Sequence, residues 1–168
     1  MISLDIGCGS KKKDGCIGID FIVNEDLDVR ADLEHGLPFR TASVDRIYAT
    51  HFLEHVHGIE RLLGEIHRVL KDGGELHAIV PYFRLSGSYH WNHKTYWSWY
   101  ATDTKTTNDI LGTKYEMVWR KLIVGNSIMS SFVNRFPRLY ERFFVPFIPV
   151  EELRFVWKKN SLIPSRKI

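Results

Sequence analysis

The opening of the chain, "LDIGCGSKKKDGCIGID" from Leu4 to Asp20, is the feature that most limits its fold. Its short apolar run ends at Gly7 and Gly9, which predicts a strand followed by a tight turn whose backbone N–H groups can approach a ligand. Only ten residues, 10–19, then separate Gly9 from Asp20, and most of them have the pattern of a loop and a second strand. Parallel strands are usually joined by a helical crossover of roughly a dozen residues or more. The opening therefore leaves open where a helix between the first two strands would lie.

Length and composition predict one globular domain, residues 1–168. Of the 168 residues 44% are hydrophobic and 26% charged, so the chain can bury a core without metal or disulfide support. Its two cysteines, Cys8 and Cys16, form no CxxC motif, which favours a reducing compartment. There is no signal-peptide pattern and no apolar run near the ~20 residues of a membrane span. We therefore expect a cytoplasmic protein.

Apolar periodicity predicts alternating strands and helices. The predicted strands cover residues 2–6, 16–20, 28–32, 43–50, 75–81, 115–125 and 151–159. A helix with one apolar stripe is predicted over 59–70, with its cap at Gly73 or Gly74, and an interrupted helix over 126–144. The aromatic segment 82–100 has the pattern of a loop that leads into a helix. Such alternation is typical of an open, mostly parallel sheet, in which ligands bind beyond the carboxyl ends of the strands.

Residues able to bind a nucleotide follow the predicted strands. They are Gly7, Cys8, Gly9, Asp20, Asp32, Thr50, His51, Pro81 and Tyr82. A carboxylate after the second strand can accept two hydrogen bonds from a ribose diol, and Asp32 beside Leu33 can meet a purine amino group, although each acid also suits an ordinary turn or cap. A dinucleotide-binding fingerprint needs a third glycine at position 12 and an acid roughly 20 residues further on. Lys12 and the early Asp20 argue against NAD and favour a ligand without a diphosphate.

Four motifs together resemble the S-adenosylmethionine-dependent methyltransferases of the type 11 group. They are "LDIGCG", "GID", "ADLEHGLPFRTASVDRIYATHFLEHV" and "RLLGEIHRVLKDGGELHAIVPYF", and the resemblance covers residues 2–83. "SKKKDG" stands where the group usually has a full helix, as in a compact subgroup of such proteins. The resemblance implies an α/β, Rossmann-like methyltransferase fold. We expect a mostly parallel seven-stranded sheet with an antiparallel last strand, helices on both faces and the first helix lost or shortened. Residues 1–81 would bind the cofactor and 82–168 the substrate.

The resemblance also implies which residues bind S-adenosylmethionine. Asp5, Gly7, Cys8 and Gly9 would line the methionine and ribose portion. Asp20 would hold the ribose hydroxyls with Phe21 beside the adenine, and Asp32 and Leu33 would meet the adenine edge. Thr50 and His51 would lie near the methionine end and the reacting methyl group.

Histidines are the candidate bases. Methyl transfer from a sulfonium needs a positioned nucleophile, and a hydroxyl or amine nucleophile gains from a base that titrates near neutrality. His51 after the fourth strand and His93 in the aromatic segment are the candidate catalytic residues. His55, at i+4 from His51, could form a metal pair with it, but the sequence offers no clear third ligand, so we expect no metal.

The basic C-terminal third of the chain gives the main indication of what kind of molecule accepts the methyl group. Residues 113–168 hold 11 Lys/Arg and 4 Asp/Glu, a balance of +7, together with many aromatic residues. Its segment 133–149 is either an ordinary packed helix or a surface that contacts a membrane or a lipid-linked substrate. We expect methyl transfer to a hydroxyl or amine of a small-molecule, sugar or lipid-linked acceptor. The alternatives are an RNA methyltransferase and a catalytically silent module that binds S-adenosylmethionine or a protein partner; the oligomeric state stays open.

Overall fold

The computed structural model describes residues 1–125 and 127–160. Its strands are β1 (Ser3–Ile6), β2 (Ile17–Asp20), β3 (Val29–Arg30), β4 (Val44–Thr50), β5 (Leu70–Pro81), β6 (Tyr115–Ile123) and β7 (Glu152–Lys159). Its α-helices are α1 (Ile59–Val69), α2 (Thr104–Leu111), α3 (Ser127–Arg135) and the short α4 (Pro137–Leu139), which continues into a wide π-helical turn over Tyr140–Phe144. Short 3₁₀ helices cover Leu53–His55, Ser86–Tyr89 and Tyr100–Thr102. Among the described residues, no helix has the length and apolar character needed to cross a membrane.

The seven strands form one sheet in the order β3-β2-β1-β4-β5-β7-β6. The strands from β3 to β5 are parallel, and β7 runs antiparallel to both β5 and β6. The expected mostly parallel sheet with an antiparallel last strand is confirmed. The strand order reverses between β1 and β4, so the carboxyl ends of these two strands mark the position where open α/β sheets bind ligands.

The connection between β1 and β2 contains no helix, as the resemblance to a compact methyltransferase subgroup implied. Lys12 and Lys13 bind this connection to residues of the sheet and its edges instead. The backbone N–H of Lys13 donates to Asp5 Oδ2 at 2.8 Å, and its ammonium lies 4.7 Å from the centroid of the Tyr48 ring. Lys12 Nζ binds Asp28 Oδ2 at 2.7 Å, at the entry to β3. These contacts replace the packing that a crossover helix would provide.

One face of the sheet carries the hydrophobic core. Its fully buried residues include Leu4, Ile6, Ile47, Ala49, Leu76, Val80, Phe155 and Trp157. Helix α1 packs on this face, and the Tyr115 hydroxyl donates to the Leu63 carbonyl oxygen at 2.8 Å. Val133 of α3 and Tyr140 of the π-helical turn belong to the same core cluster. The helical layer therefore lies on this face.

The opposite face, which we call the open face, presents half-buried polar side chains. Paired register places Arg46 beside Glu75 and Tyr48 beside His77. Within β5, His77 Nε2 lies 2.8 Å from Glu75 Oε2. The ring contact of Tyr48 with His77 and the ion pair of Arg46 with Glu75 join β4 to β5. Helices were expected on both faces of the sheet, but within the described residues they lie on one face. The connections β1–β2 and β2–β3, which would supply the other layer, contain no helix.

The end of α1 differs from the expectation. A cap at Gly73 or Gly74 was predicted, but α1 ends at Val69, and Leu70 is already extended and pairs with Val44 of β4. Leu70 is fully buried, so the core holds it in the sheet and the strand begins there. The later predicted strands and the helix interrupted at Pro137 are present, although the predicted first residue of that helix, Asn126, lies outside the described residues.

Candidate functional site

Two adjoining cavities open at the carboxyl ends of the first strands. The first, which we call the Asp32 cavity, has about 240 Å³ and is lined by Asp20, Phe21, Ala31, Asp32, Leu33, Glu34, Phe52, His55 and Val56. The second, which we call the His51 cavity, has about 520 Å³ and is lined by Gly7, Asp20, Ile22, His51, Phe52, His55, Trp91, Asn92 and Lys94. Asp20, Phe52 and His55 line both. An elongated ligand can therefore span the two cavities past these three side chains.

The glycine turn after β1 forms the floor of the His51 cavity. Gly7 has φ +66°, and its N–H donates to the Ile19 carbonyl oxygen at 2.8 Å. A Cβ at this position would lie 2.2–2.7 Å from atoms of the Phe52 side chain. Gly9 also has a positive φ, +53°, but a Cβ there would meet nothing within 4 Å. Gly7 is thus required by both backbone conformation and close packing, and Gly9 by conformation alone.

Asp20 ends β2 between the two cavities. Its Oδ2 accepts the Gly9 N–H and its Oδ1 accepts the Ile22 N–H, each at 2.9 Å. The carboxylate therefore orders the turn after each of the first two strands. Each oxygen keeps a second lone pair, so Asp20 can also accept hydrogen bonds from a ligand diol.

The Asp32 cavity combines a polar edge with apolar walls. Asp32 Oδ1 accepts the Glu34 N–H at 3.0 Å, and its Oδ2 lies 2.9 Å from His35 Nδ1. Leu33 beside it is buried, whereas the Phe21 ring is 61% exposed at the cavity mouth. A flat base can lie between such apolar side chains with its polar edge toward the carboxylate.

Four predicted cofactor residues, Gly9 and the three described next, line neither cavity. Asp5 is buried on the open face, where burial raises the pKa of its carboxyl above the usual value. Cys8 is buried against β2, and burial raises the pKa of its thiol. Thr50 is exposed at the end of β4, in register with Ile79. These residues support the turn and the sheet around the cavities.

His51 leaves β4 with a positive φ of 51°. Its Nδ1 lies 3.5 Å from Glu54 Oε1, and its Nε2 lies 3.2 Å from Glu152 Oε1 at the start of β7. Glu54 and then Glu152 hold the pKa of His51 above its usual value by hydrogen bonding and charge. No sequence pattern pointed to Glu152, which is 101 residues away from His51 along the chain.

His93 lies beside the 3₁₀ turn that follows His51. Its ring meets that of His55 edge to face, with centroids 4.7 Å apart. One ligand atom from each of Glu54, His55 and His93 lies within 4.8 Å of the others. Glu54 is 1% exposed, and its Oε2 has no hydrogen-bond partner. The sequence separates His93 from this turn, and only the fold brings the three together.

A wide groove of about 820 Å³ lies at the same edge of the sheet, beyond β5 and β7. It is lined by Phe83, Tyr96, Ser98, Tyr100, Arg138, Leu139, Glu141, Arg142 and Phe143. Glu141 Oε1 accepts both the hydroxyl of the buried Tyr82 and the Trp99 N–H, each at 2.7 Å. Burial, followed by Glu141, raises the pKa of Tyr82. The groove thus has aromatic walls, two arginines, and one carboxylate that already accepts hydrogen bonds from the protein.

The family model described as "methyltransferase domain" matches residues 4–78. The matched part is similar to a methyltransferase domain and spans less than half of the chain. It contains β1 to β4, α1 and most of β5, and thus every strand end that forms the two cavities. No curated protein matches the chain.

Solved structures of other proteins have the same fold. A Haloferax volcanii protein, solved in complex with the methyltransferase activator Trm112, is 20% identical, with TM-score 0.63 over 95% of this chain and 82% of its own. An S-adenosylmethionine-dependent methyltransferase from Mesorhizobium loti is 15% identical, with TM-score 0.63 over 94% and 90%. The [4+2]-cyclase SpnF is 17% identical, with TM-score 0.62 over 94% and 74%. The expected Rossmann-like methyltransferase fold is confirmed.

S-adenosylmethionine-dependent methyltransferases are among the proteins that this chain resembles, and the site fits their cofactor. Gly7 lines the floor of the His51 cavity beside Phe52, and nothing lies within 4 Å of the Cβ position of Gly9, so the turn leaves room for a ligand there. Asp20 offers free lone pairs at the junction of the cavities, where a ribose diol would lie. The Asp32 cavity has the apolar walls and acceptor edge that suit an adenine.

Proposed function

We propose that this methyltransferase transfers the methyl group of S-adenosylmethionine to a hydroxyl or amine of a small-molecule, sugar or lipid-linked acceptor. The observation that supports this most is the pair of joined cavities at the strand-order reversal, with Asp20 between them and His51 at the wall of the second. S-adenosylmethionine supplies an electrophilic methyl group on a sulfonium. The protein then has to hold the cofactor, orient the acceptor and accept its proton.

Each predicted site residue that lines a cavity has a role in this proposal. Asp20 would accept the ribose hydroxyls, and Asp32 would accept from the adenine amino group with Leu33 and Phe21 as apolar neighbours. The backbone at Gly7 would pass under the methionine portion. His51 would lie near the acceptor as the base, oriented by its contacts with Glu54 and Glu152.

The groove beyond β5 supports an acceptor that is partly apolar and carries an acidic group. Its aromatic side chains offer flat contact surface, and Arg138 and Arg142 offer positive charge beside it. It begins at Phe83, immediately after the strand whose end neighbours His51. An acidic lipid-linked or aromatic acceptor would therefore reach the cavity from this side.

Binding of S-adenosylmethionine tests the proposal first. Calorimetry with the Asp20→Ala variant should give at least roughly tenfold weaker binding, about 1.4 kcal/mol, because two hydroxyl contacts to a charged acceptor are lost. Asp14→Ala, an exposed acid on the same connection, is the matched control and should bind like wild type. Equal affinities for all three proteins would contradict the assigned cofactor site, and NAD should not compete.

Turnover then separates the alternatives. Methyl-labelled cofactor offered with sugars, lipid-linked sugars, aromatic acids and RNA should label an acidic small-molecule or lipid-linked acceptor. Label in RNA, with binding that weakens steeply with salt, would overturn the acceptor class in favour of an RNA methyltransferase. Cofactor binding without label in any acceptor would favour the silent module.

A further inference from the structure

We propose that Glu54, His55 and His93 bind one divalent transition-metal ion of the Zn²⁺ type, with an open coordination position toward the His51 cavity. His55 lines both cavities, so the ion would lie at their junction. Glu54 and His55 follow β4, and His93 comes from the segment after β5. The site therefore exists only in the folded chain.

The donor atoms are close enough to share an ion after small side-chain rotations. They lie within 4.8 Å of one another. Zinc bonds of about 2.1 Å hold two ligand atoms up to ~4.2 Å apart. The backbone already draws the two segments together, because the Lys94 and Thr95 N–H groups donate to the Glu54 carbonyl oxygen at 2.6 and 3.2 Å.

The Glu54 carboxylate gives an independent reason for a cation. The residue is 1% exposed, and its Oε2 has no partner, whereas Oε1 faces His51 Nδ1 at 3.5 Å. An unsatisfied buried carboxylate oxygen is costly, and buried charges in proteins are normally paired or bound to metals. An ion between Glu54 and the two histidines would satisfy it.

His93 is held in the form that ligates metals. Its Nδ1 lies 3.0 Å from the Ser88 carbonyl oxygen, which can only accept, so Nδ1 carries the proton. In the neutral ring Nε2 then keeps a free lone pair. A histidine ligand that donates its other N–H to a carbonyl is the usual outer-shell arrangement of metal sites.

The ligand set selects the metal and suggests its use. Two imidazoles and one carboxylate, with one position left open, form a typical catalytic zinc set, whereas Mg²⁺ and Ca²⁺ prefer oxygen ligands. An ion here could bind an acceptor hydroxyl and lower its pKa. This second role rests on the proposed methyl transfer, but metal binding itself does not.

Metal titration of the untagged, chelator-treated protein tests the site. Calorimetry with Zn²⁺, and Co²⁺ as a spectroscopic substitute, should give one ion per chain. His93→Gln and Glu54→Gln should each weaken binding at least a hundredfold, more than the loss of an outer-shell partner usually does. His57→Gln, an exposed histidine near the same turn, is the matched control and should bind like wild type.

Several results would overturn the inference. These are wild-type affinity in both ligand variants, no stoichiometric binding in wild type, and a thiolate charge-transfer band of Co²⁺, which would place the ion on Cys8 or Cys16. Thermal unfolding provides a second test that also works for a variant whose stability is changed. Zn²⁺ should raise the midpoint temperature of unfolding of wild type and of His57→Gln but not of Glu54→Gln. S-adenosylmethionine binding is measured separately on the same samples. Its failure with metal binding intact would contradict the proposed function and leave the metal site standing.

Discussion

At the scale of single residues, the turn after β1 makes the sharpest prediction. Gly7→Ala places a Cβ within 2.7 Å of Phe52 in a left-handed backbone conformation, whereas Gly9→Ala meets only the conformational strain. We expect Gly9→Ala to lower the free energy of unfolding by about 1 kcal/mol. Gly7→Ala should lower it by about 1–3 kcal/mol more, because the Phe52 ring must move. Denaturant unfolding of the two variants measures the difference.

A second substitution isolates the cause of that difference. In Gly7→Ala with Phe52→Ala, the two ring-atom contacts at 2.2 and 2.3 Å are absent and the contact with the Phe52 Cβ at 2.7 Å remains, so the additional loss caused by the Gly7 substitution should fall toward that of Gly9→Ala. If Gly7→Ala and Gly9→Ala were equally stable in the wild-type background, the close packing of Phe52 on the turn would be contradicted.

At the scale of elements, the contact between α1 and β6 should make stability depend on pH. His67 Nε2 accepts the Lys114 N–H at 3.1 Å, and burial, followed by the charge of Lys159, lowers the pKa of His67 below 6.5. The unfolded chain then binds a proton more readily than the folded one. The stabilisation is therefore present above about pH 6.5 and is lost as the pH falls through that value toward the lower folded pKa.

The variant His67→Gln supplies the reference for this effect. Its side-chain oxygen can still accept the Lys114 N–H but cannot titrate. The free energy of unfolding of wild type relative to the variant should fall between about pH 7.5 and 5.5, the range in which histidines titrate. A difference that stays constant over this range would show that His67 has the same pKa in both states.

Much of this organisation could be predicted from local sequence, and the rest depended on long-range contacts. The strands and the glycine turn follow from apolar runs and glycine positions, and the missing helix follows from the resemblance of the opening to a compact methyltransferase subgroup. The open face also had a signal: Glu75 and His77 alternate with buried residues, whereas strands covered on both faces read as continuous apolar runs. The pairing of His51 with Glu152, and of His93 with Glu54, had none, because these residues meet only when distant strands align.

At the scale of the whole molecule, loss of one helical layer leaves a polar sheet face in contact with water. The side chains of Arg46 and Glu75 are 36% and 28% exposed there, with their charged atoms 3.6 Å apart. Replacing both partners with apolar residues leaves neither charge unpaired, so the fold should tolerate Arg46→Val with Glu75→Val. The same change extends the half-buried Tyr48 into an apolar patch with the two valines on the open face.

That patch should cause association, because contiguous apolar surface of this kind is rarely left exposed. We expect the double valine variant to keep its far-ultraviolet spectrum and cofactor affinity, while its mass by light scattering rises with protein concentration. The charge swap Arg46→Glu with Glu75→Arg is the matched control, since it keeps the face polar, and its mass should follow wild type. If the valine variant also followed wild type at every concentration, the open face would have to be covered by another surface, and the two-layer architecture inferred from the strand registers would be contradicted.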